Sequence, residues 1–281
     1  MNDVYQLIRT ALAQKLVEDA HGIWRSATVG ALAYPEEGNE RCFLIEDKSF
    51  WFNHRNDCIA AALRRHLPSG LILDIGGGNG FVARRMMDEG YATVLIEPGP
   101  AGAYNARRNR GLPLVVCATL EETGLPAETA DAATLFDVLE HIPDDRAFLE
   151  PVSRVLKPGG WLVLTVPAHR WLWSQSDDRA QHCRRYSRAQ LLDVLAERFD
   201  PVYCTHYFGA LVLPTLLMRA LPYRIKPSRR QGLLPVEQEH GTGGGPMVRL
   251  LTARLRPEVA RIAAGKSMAW GGSLLCVARK R

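Results

Sequence analysis

Two patterns of apolar residues alternate along the middle of the chain. Short, continuous apolar runs predict strands at Gly70–Ile75, Ala92–Glu97, Leu114–Ala118, Ala130–Phe136 and Gly160–Pro167. Between them, apolar residues at helical spacing predict helices at Phe81–Glu89, Gly102–Arg110, Asp145–Val155 and Arg188–Phe199. Strands of a parallel sheet are continuously apolar because helices cover both faces. The pattern therefore predicts an α/β fold that binds ligands at the carboxyl ends of its strands.

The segment ahead of this region is predicted to be helical. Apolar residues at helical spacing predict one helix over about residues 3–20. A second helix is predicted to begin at Asn53, whose side chain can cap it, and to end near Leu67, just before a proline. We interpret residues 1–66 as an N-terminal helical lid that precedes the first strand of the sheet.

The segment that follows the alternating strands and helices contains an insertion between two further strands. Those strands are predicted at Pro201–Phe208 and Ser273–Lys280. Residues 209–272 separate them, with an apolar start, a basic middle part and an amphipathic helix at Met247–Ile262 that Pro257 interrupts. The insertion is therefore expected to be an addition to the sheet rather than a part of it.

Composition and charge narrow the class of protein. Hydrophobic residues make up 47% of the chain, which is ordinary for a globular protein. The six cysteines include no Cys-x-x-Cys pair, so we expect reduced thiols and a cytoplasmic location. The net charge is +5, but it is +10 from Arg219 onward, with 13 basic and 3 acidic residues, and −5 before it. Such asymmetry suits an anionic partner, and it suits a solvated basic surface equally well.

The turn after the first strand of the sheet holds the strongest motif. An acidic residue and glycines occupy alternate positions there: Asp74, Gly76, Gly78 and Gly80. Glycine lets bare backbone approach a ligand closely. The nicotinamide-binding pattern requires a third glycine where this chain has Phe81, which is too large for that contact. The motif therefore favours a nucleoside ligand that carries a cationic group over a dinucleotide.

These motifs resemble those of the class I S-adenosylmethionine (SAM) methyltransferases, in the group similar to ubiquinone-biosynthesis methyltransferases. The matching segments are Leu71–Gly80, Val94–Glu97, Asp131–Asp144 and Arg154–Gly160, with Gly272–Lys280 in the place of an antiparallel last strand. The resemblance implies a Rossmann-like, doubly wound, mostly parallel seven-stranded sheet. Its SAM-binding core would comprise residues 67–208, completed by a final strand at 273–281. It also implies SAM as the cofactor.

The resemblance also implies which residues bind the cofactor. In the family, the acidic end of the second strand holds the ribose hydroxyls, and the first turn holds the methionine end. The residues expected at the cofactor are Asp74, Gly76, Gly78, Asn79, Gly80, Glu97, Thr119 and Asp137. Thr119 stands where the family often has an acidic residue that binds the adenine amino group.

The acceptor side is predicted from residues that follow the fourth and fifth strands. His141 is a candidate base for an acceptor proton, or else it caps the next helix. Side chains that could line an acceptor pocket, or serve a structural role there, are Trp171, His182, Arg185 and Tyr186. No metal site is predicted, although His169, Asp177 and His182 are residue types that commonly bind metal ions.

We expect a methyltransferase that acts on oxygen or nitrogen of a small-molecule or lipid-like acceptor. The apolar and basic residues of 209–230 could contact a membrane surface, form a homodimer interface or cap the pocket. Nucleic acid is not an expected partner, because the basic tail lacks an aromatic-interleaved motif. The alternative is a catalytically silent SAM-binding protein with the same fold.

Overall fold

A nine-stranded sheet runs through the part of the chain that the structure, a computed structural model, describes: residues 2–26, 36–225, 242 and 245–281. The strands are β1 (Val17–Glu18), β2 (Ile23–Arg25), β3 (Leu71–Ile75), β4 (Ala92–Ile96), β5 (Val115–Cys117), β6 (Ala130–Phe136), β7 (Leu156–Pro167), β8 (Phe199–Tyr207) and β9 (Ser273–Lys280). Their spatial order is β1-β2-β5-β4-β3-β6-β7-β9-β8.

The central strands confirm the predicted fold class. Strands β2, β5, β4, β3, β6 and β7 are parallel, and β9 lies antiparallel between β7 and β8. After β3, the chain adds β4 and β5 on one side and β6 on the other. The carboxyl end of β3 is therefore the switch point of the sheet, where a doubly wound fold leaves a crevice for ligands.

Helices cover both faces of the sheet. They are α1 (Asn2–Leu12), α2 (Glu36–Ile45), α3 (Phe50–His66), α4 (Phe81–Asp88), α5 (Pro100–Tyr104), α6 (Leu120–Thr123), α7 (Asp145–Val155), α8 (Gln175–Arg179), α9 (Arg188–Leu195), α10 (Val212–Thr215), α11 (Leu221–Ile225) and α12 (Pro246–Ala263). Side chains alternate along β3. Leu71 and Leu73 belong to the core cluster that includes residues of α1, α7 and α9, whereas Ile72 belongs to the cluster that includes residues of α3, α4 and α12. None of the helices that the structure describes has the length and apolar character that a bilayer crossing requires.

The N-terminal segment differs from the helical prediction. Its first helix ends at Leu12 rather than near residue 20, and the following residues form β1 and β2. Asp19 turns the chain between these strands, because its Oδ1 accepts hydrogen bonds from the backbone N–H groups of His21 and Ile23. Strand β2 then pairs in parallel with β5, so the segment extends the sheet by two strands.

Three predicted helix boundaries were wrong. Ser49 rather than Asn53 caps α3, since its Oγ accepts hydrogen bonds from the backbone N–H groups of Trp51 and Phe52. The helix that begins at Arg188 ends at Leu195, because Phe199 already belongs to β8. Helix α12 continues through Pro257, whose missing N–H removes one hydrogen bond while neighbouring side chains pack in the core beside α3. Residues 226–241 and 243–244 of the predicted insertion lie outside the described residues.

Candidate functional site

The turn between β3 and α4 has a backbone that only glycine adopts readily. Gly76, Gly78 and Gly80 have φ values of +71°, +54° and +76°, in the left-handed region. A Cβ at Gly76 would lie 2.7 Å from the Val138 side chain, and one at Gly80 would lie 2.9 Å from the Ala106 Cβ. The glycines therefore let the turn pack against two neighbouring segments while its backbone faces the crevice.

Asp74 presents a buried carboxylate beneath this turn. It is 1% exposed, and its Oδ1 accepts a hydrogen bond from the Thr134 hydroxyl at 2.7 Å. Its Oδ2 is buried without a hydrogen-bond partner among the residues that the structure describes. Burial raises the pKa of Asp74 to about 6, although the bond from Thr134 and the charge of Arg55 act in the other direction. The carboxylate can therefore accept one further donor.

Glu97 follows β4 and joins the turn to the next loop. Its Oε2 accepts from the Gly78 N–H at 2.8 Å, and its Oε1 accepts from the Gly99 N–H at 2.7 Å. Burial raises its pKa to about 7, the two backbone N–H groups lower it, and the charge of Asp74 raises it further. Two buried carboxylates thus lie at adjacent strand ends, as the sequence pattern predicts.

Helix α2 covers the crevice from above, which the sequence did not predict. The buried side chain of Asn39 hydrogen-bonds to Glu97, and its Nδ2 lies 2.9 Å from where a Cβ of Gly102 would be. Asn79 Nδ2 donates to the Asn39 carbonyl at 2.8 Å and to Glu46 Oε1 at 2.5 Å. The side chain of Asn79 therefore binds α2, and the amide of Asn39 occupies the space beside Glu97.

Thr119 caps α6. Its hydroxyl accepts from the Glu122 N–H at 3.4 Å, while the Glu122 carboxylate accepts from the Thr119 N–H at 2.7 Å. This reciprocal pair holds the loop after β5 in place. The sequence shows the capping box, because Thr119 and Glu122 have the spacing that defines it.

Asp137 lies at the end of β6 with an unusual backbone. Its φ is +56°, and its Oδ1 accepts from the Thr165 hydroxyl at 2.9 Å. Its Oδ2 pairs with Arg55 of α3, whose guanidinium also lies over the rings of Trp51 and Phe52 at 5.3 and 5.5 Å. The sequence did not predict that Arg55 pairs with Asp137, because the two residues are far apart along the chain.

His141 lies next to His182 rather than alone at a strand end. Their ring centroids are 4.8 Å apart at 80°. Burial and the charge of His182 lower the pKa of His141 to about 4, so its imidazole is neutral at neutral pH. A neutral imidazole of such low basicity is a weak proton acceptor but a competent metal ligand.

Glu140, His141 and His182 form a group that could hold a cation. One ligand atom from each lies within 4.8 Å of the others. His182 donates its Nδ1–H to Asp177 Oδ1 at 2.9 Å, which leaves Nε2 with its lone pair 3.9 Å from Glu140 Oε1. Metal-bound histidines usually have such a carboxylate behind them. Glu140 is buried, and its Oε2 has no hydrogen-bond partner within the described parts of the chain.

The predicted acceptor residues separate into two groups. Arg185 joins His182 at Asp177, since its Nε donates to the same Oδ1 at 2.7 Å. Tyr186 is buried beneath them, and its hydroxyl donates to Asp145 at 2.8 Å. Trp171 instead stacks with Trp270 at 5.7 Å, a residue of the insertion that the sequence did not single out. Arg185 and Tyr186 are thus held by hydrogen bonds within the protein, whereas the tryptophans form an aromatic face.

In a second group of possible metal ligands, the carboxylate is already used in hydrogen bonds within the protein. His54, Cys58 and Glu258 also bring one atom each within 4.8 Å of the others. The Glu258 carboxylate already accepts from His54 Nε2 at 2.9 Å and from the N–H groups of Phe208 and Gly209 at 2.8 Å each. Burial raises the pKa of the Cys58 thiol, which keeps it protonated. This group joins α3 to α12 and is structural.

The sheet order and the acidic, glycine-lined crevice define a class I SAM-dependent methyltransferase domain. The chain belongs to the methyltransferase domain family, whose model matches residues 51–198. SAM is the cofactor of this family, and the carboxylates and glycines at the switch point fit a cationic nucleoside. The carboxylates and glycines of the crevice thus agree with the cofactor that the sequence motifs predict.

Relatives and solved structures agree with this assignment. A probable SAM-dependent methyltransferase of Mycolicibacterium smegmatis is 25% identical over 58% of this chain and 64% of its own length. A ubiquinone biosynthesis O-methyltransferase of Hahella chejuensis is 35% identical over 37% and 45%. The chain thus matches less than two thirds of either relative. A SAM-dependent methyltransferase of Thermotoga maritima, a possible histamine N-methyltransferase, shares the fold at a TM-score of 0.53, 19% identity and coverage of 87% and 95%.

Proposed function

We propose that this protein transfers a methyl group from SAM to an oxygen of a small-molecule or lipid-like acceptor. The observation that carries this proposal is the pair of buried carboxylates, Asp74 and Glu97, on either side of the glycine turn. SAM supplies an activated sulfonium methyl, so the protein has to bind, orient and exclude water rather than activate the leaving group. In this proposal, Asp74 Oδ2 would accept from the methionine ammonium, and Glu97 would accept from the ribose hydroxyls.

The remaining residues that were predicted to bind the cofactor would shape the crevice around it. Gly76, Gly78 and Gly80 let the backbone approach the cofactor, and Asn79 anchors the turn to α2. Thr119 would shape the adenine end through the loop after β5. Asp137, held by Thr165 and Arg55, lies at the neighbouring strand end, where the methyl group would be delivered.

The group of Glu140, His141 and His182 favours oxygen over nitrogen as the acceptor atom. These side chains would hold a divalent cation, and a hydroxyl bound to such a cation loses its proton more readily. We therefore assign His141 to ligation rather than to general-base catalysis, since its pKa of about 4 makes it a poor base at neutral pH. Arg185 and Asp177 would orient His182 toward the same cation.

The decisive experiment measures S-adenosylhomocysteine formation with a panel of hydroxyl and amine acceptors. We expect turnover with hydroxyl acceptors, loss of turnover with a chelator and recovery when Mg²⁺ or Mn²⁺ is returned. Turnover that a chelator leaves unchanged would contradict the cation, and turnover with amines alone would contradict oxygen as the acceptor. Binding of SAM without turnover across the panel would instead support the catalytically silent alternative, since the fold does not determine activity.

The start of the insertion supports contact with a membrane surface. Exposed apolar side chains gather on α10, α11 and the π-helical turn between them: Leu213 at 61%, Leu217 at 53%, Met218 at 72% and Ile225 at 72% exposure. Arg219 and Arg224 lie among them. An apolar face with basic residues suits an anionic bilayer surface that carries a lipid-like acceptor. A homodimer through this face is the competing proposal. The six cysteines are thiols rather than disulfides, which suits a cytoplasmic location.

A further inference from the structure

Two cysteines face each other across the last strand pair of the sheet. Cys204 of β8 and Cys276 of β9 are directly opposite partners in the antiparallel register. Both are buried, and both belong to the core cluster that includes residues of α9. Opposite residues of an antiparallel pair have Cα atoms about 4.5–5.5 Å apart, which lies within the range of about 4.4–6.8 Å that disulfides span. The strand register therefore permits a bond between the two sulfur atoms.

The two thiols differ in acidity. A hydrogen bond with the Cys276 thiol lowers the pKa of Cys204, burial acts in the other direction, and Arg188 lowers the pKa further through its charge and a hydrogen bond. The same hydrogen bond and burial raise the pKa of Cys276. Cys204 is therefore the thiol of this pair that ionises first.

The two thiols also differ in their position relative to the surface. Strand β8 is at the edge of the sheet, whereas β9 lies between β7 and β8. Arg188, the first residue of α9, is exposed to solvent while it hydrogen-bonds to Cys204. Cys204 thus lies on the outer strand beside a basic surface residue, and Cys276 lies behind it on the inner strand.

Two other cysteines each have only one of these properties. Cys117 has a basic neighbour, because Arg25 donates from its Nη1 to the Cys117 Sγ at 3.4 Å, but its partner on β2 is this same arginine and not a second thiol. Cys183 is exposed, and its Sγ donates to the His141 carbonyl at 3.5 Å. They provide matched comparisons for basicity and for exposure.

We propose that Cys204 and Cys276 are an oxidation site that forms a reversible disulfide with a hydroperoxide as the oxidant. The Cys204 thiolate attacks one peroxide oxygen, so an S–O bond forms as the O–O bond breaks and hydroxide leaves. The Cys276 sulfur then displaces hydroxide from the Cys204 sulfenic acid and loses its proton. Two electrons and two protons thus pass from the thiols to hydrogen peroxide, which becomes two water molecules.

The disulfide would join the two strands that flank the insertion. Strand β8 ends at Tyr207 and β9 begins at Ser273, so the loop that the bond closes contains all of residues 209–272. Disulfides of cytosolic proteins are usually transient and often sense oxidants, which agrees with a pair that is reduced here. The proposal requires no particular methyl acceptor or cation. The competing explanation is that both cysteines only fill the core as small apolar residues.

Thiol mapping separates the two explanations. The full chain is treated with hydrogen peroxide, unfolded, alkylated with iodoacetamide and analysed by mass spectrometry before and after reduction with dithiothreitol. We expect peptides joined through Cys204 and Cys276, lighter by two hydrogen atoms than the sum of the free peptides. Of the six cysteines, the two in the bond should escape alkylation and four should react, and dithiothreitol should restore all six.

Three variants test the separate roles. Cys276→Ser should let sulfenic acid accumulate on Cys204, where dimedone traps it, whereas Cys204→Ser should leave Cys276 reduced. Arg188→Gln should slow disulfide formation at least threefold, because the thiolate loses its cation. Cys117→Ser is the control and should form the disulfide at the rate of the wild type.

Specific outcomes would overturn the proposal. If peroxide oxidises Cys183 while Cys204 and Cys276 are both still alkylated in full, the pair only fills the core, a result that needs no variant to fold. Dimedone on Cys276 of the Cys204→Ser variant would contradict the assigned order of attack. An unchanged rate in Arg188→Gln would contradict activation by that residue.

Discussion

Glu97 is an acidic residue that the surrounding protein holds partly in its neutral form. Burial raises its pKa to about 7, and the nearby charge of Asp74 acts in the same direction. Because the folded-state pKa lies above the unfolded one, its contribution to stability is full below about pH 4.5 and is lost as the pH rises through 7. The ionised form of Glu97, which we propose binds the ribose hydroxyls, is thus obtained at the expense of folding stability.

This titration predicts pH-dependent cofactor binding. We propose that the ionised carboxylate of Glu97 accepts from the ribose, so S-adenosylhomocysteine affinity should fall about tenfold from pH 8 to pH 6, as expected for a group with a pKa near 7. Titrations in buffers with different ionisation enthalpies should show proton release near pH 6.5. The N–H groups of Gly78 and Gly99, the amide of Asn39 and the carboxylate of Asp74 face this group and set its pKa.

Glu97→Gln provides the matched comparison for that prediction. The variant should bind at least tenfold more weakly at pH 8, and its remaining pH dependence should move toward the pKa of Asp74, about 6. Affinity that is flat between pH 6 and pH 8 in the wild-type protein would contradict the assignment of Glu97 to the ribose.

The sequence predicted the positions of these acidic residues but not their states. Asp74 and Glu97 follow continuous apolar runs, so their place at the ends of buried strands could be predicted from pattern alone. Their pKa values depend on how completely other segments cover them, which local pattern does not encode. Arg55 shows the same limit, because its partner Asp137 is 82 residues away along the chain.

At the level of elements, the proposed assignment of Glu97 to the ribose implies that α2 competes with the cofactor. The amide of Asn39 hydrogen-bonds to Glu97 and lies within 3.0 Å of where a Cβ of Gly99 would be. Since Glu97 is assigned to the ribose, SAM has to displace this amide or move α2. We expect Asn39→Ala to bind S-adenosylhomocysteine about threefold to tenfold more tightly, which corresponds to one hydrogen bond removed from the ligand-free state. Weaker binding would show instead that Asn39 is a ligand of the cofactor; Asn109→Ala, on the surface, serves as the control.

A buried carboxylate adds to the apolar packing that holds helix α12 to the core. Glu258 accepts from His54 of α3 and from two backbone N–H groups that follow β8. Glu258→Ala leaves these donors buried without a partner, so the free energy of unfolding should fall by about 3 kcal/mol. Urea unfolding measures this value. The exposed Glu150, whose contact with Arg198 spans 3.9 Å, should change stability by less than about 0.5 kcal/mol when replaced by alanine.

Long apolar elements were predicted well, and short ones were missed. Strands β3, β4, β6 and β9 have enough continuous apolar residues for the pattern to identify them. Strands β1 and β2 have 2 and 3 residues, too few for a periodic signal, and they form because a hairpin pairs with β5. The cap of α3 was misplaced by four residues because Ser49 and Asn53 are both good cap residues.

Across the whole molecule, charge and apolar exposure coincide on the C-terminal insertion. Residues 219–272 carry +7, with 10 basic and 3 acidic residues, and Arg279, Lys280 and Arg281 add +3, whereas the residues before Arg219 carry −5. The same insertion exposes Leu217 and Met218, while the crevice is lined by carboxylates. An anionic bilayer would therefore attract the insertion and repel the acidic part of the core, which would orient the molecule on the surface.

This orientation predicts selective binding to anionic vesicles. The wild-type protein should sediment with vesicles that contain phosphatidylglycerol but not with pure phosphatidylcholine, and added salt should weaken the association. Leu217→Glu with Met218→Glu should abolish sedimentation because both apolar and electrostatic attraction are lost. The control pair, Leu7→Glu with Val17→Glu, replaces apolar residues on α1 and β1 that are at least as exposed, and the variant should bind as the wild type does.

Two outcomes would contradict the membrane prediction. If both pairs of substitutions weaken binding equally, the association is nonspecific and the insertion has no particular role. If the wild type is a dimer by light scattering and Leu217→Glu with Met218→Glu makes it a monomer without changing vesicle binding, the exposed face is an interface between two copies. A bilayer contact requires that Leu217→Glu with Met218→Glu lose vesicle binding while its oligomeric state stays that of the wild type. In that case the apolar side chains are buried from water by lipid and not by a second copy of the protein.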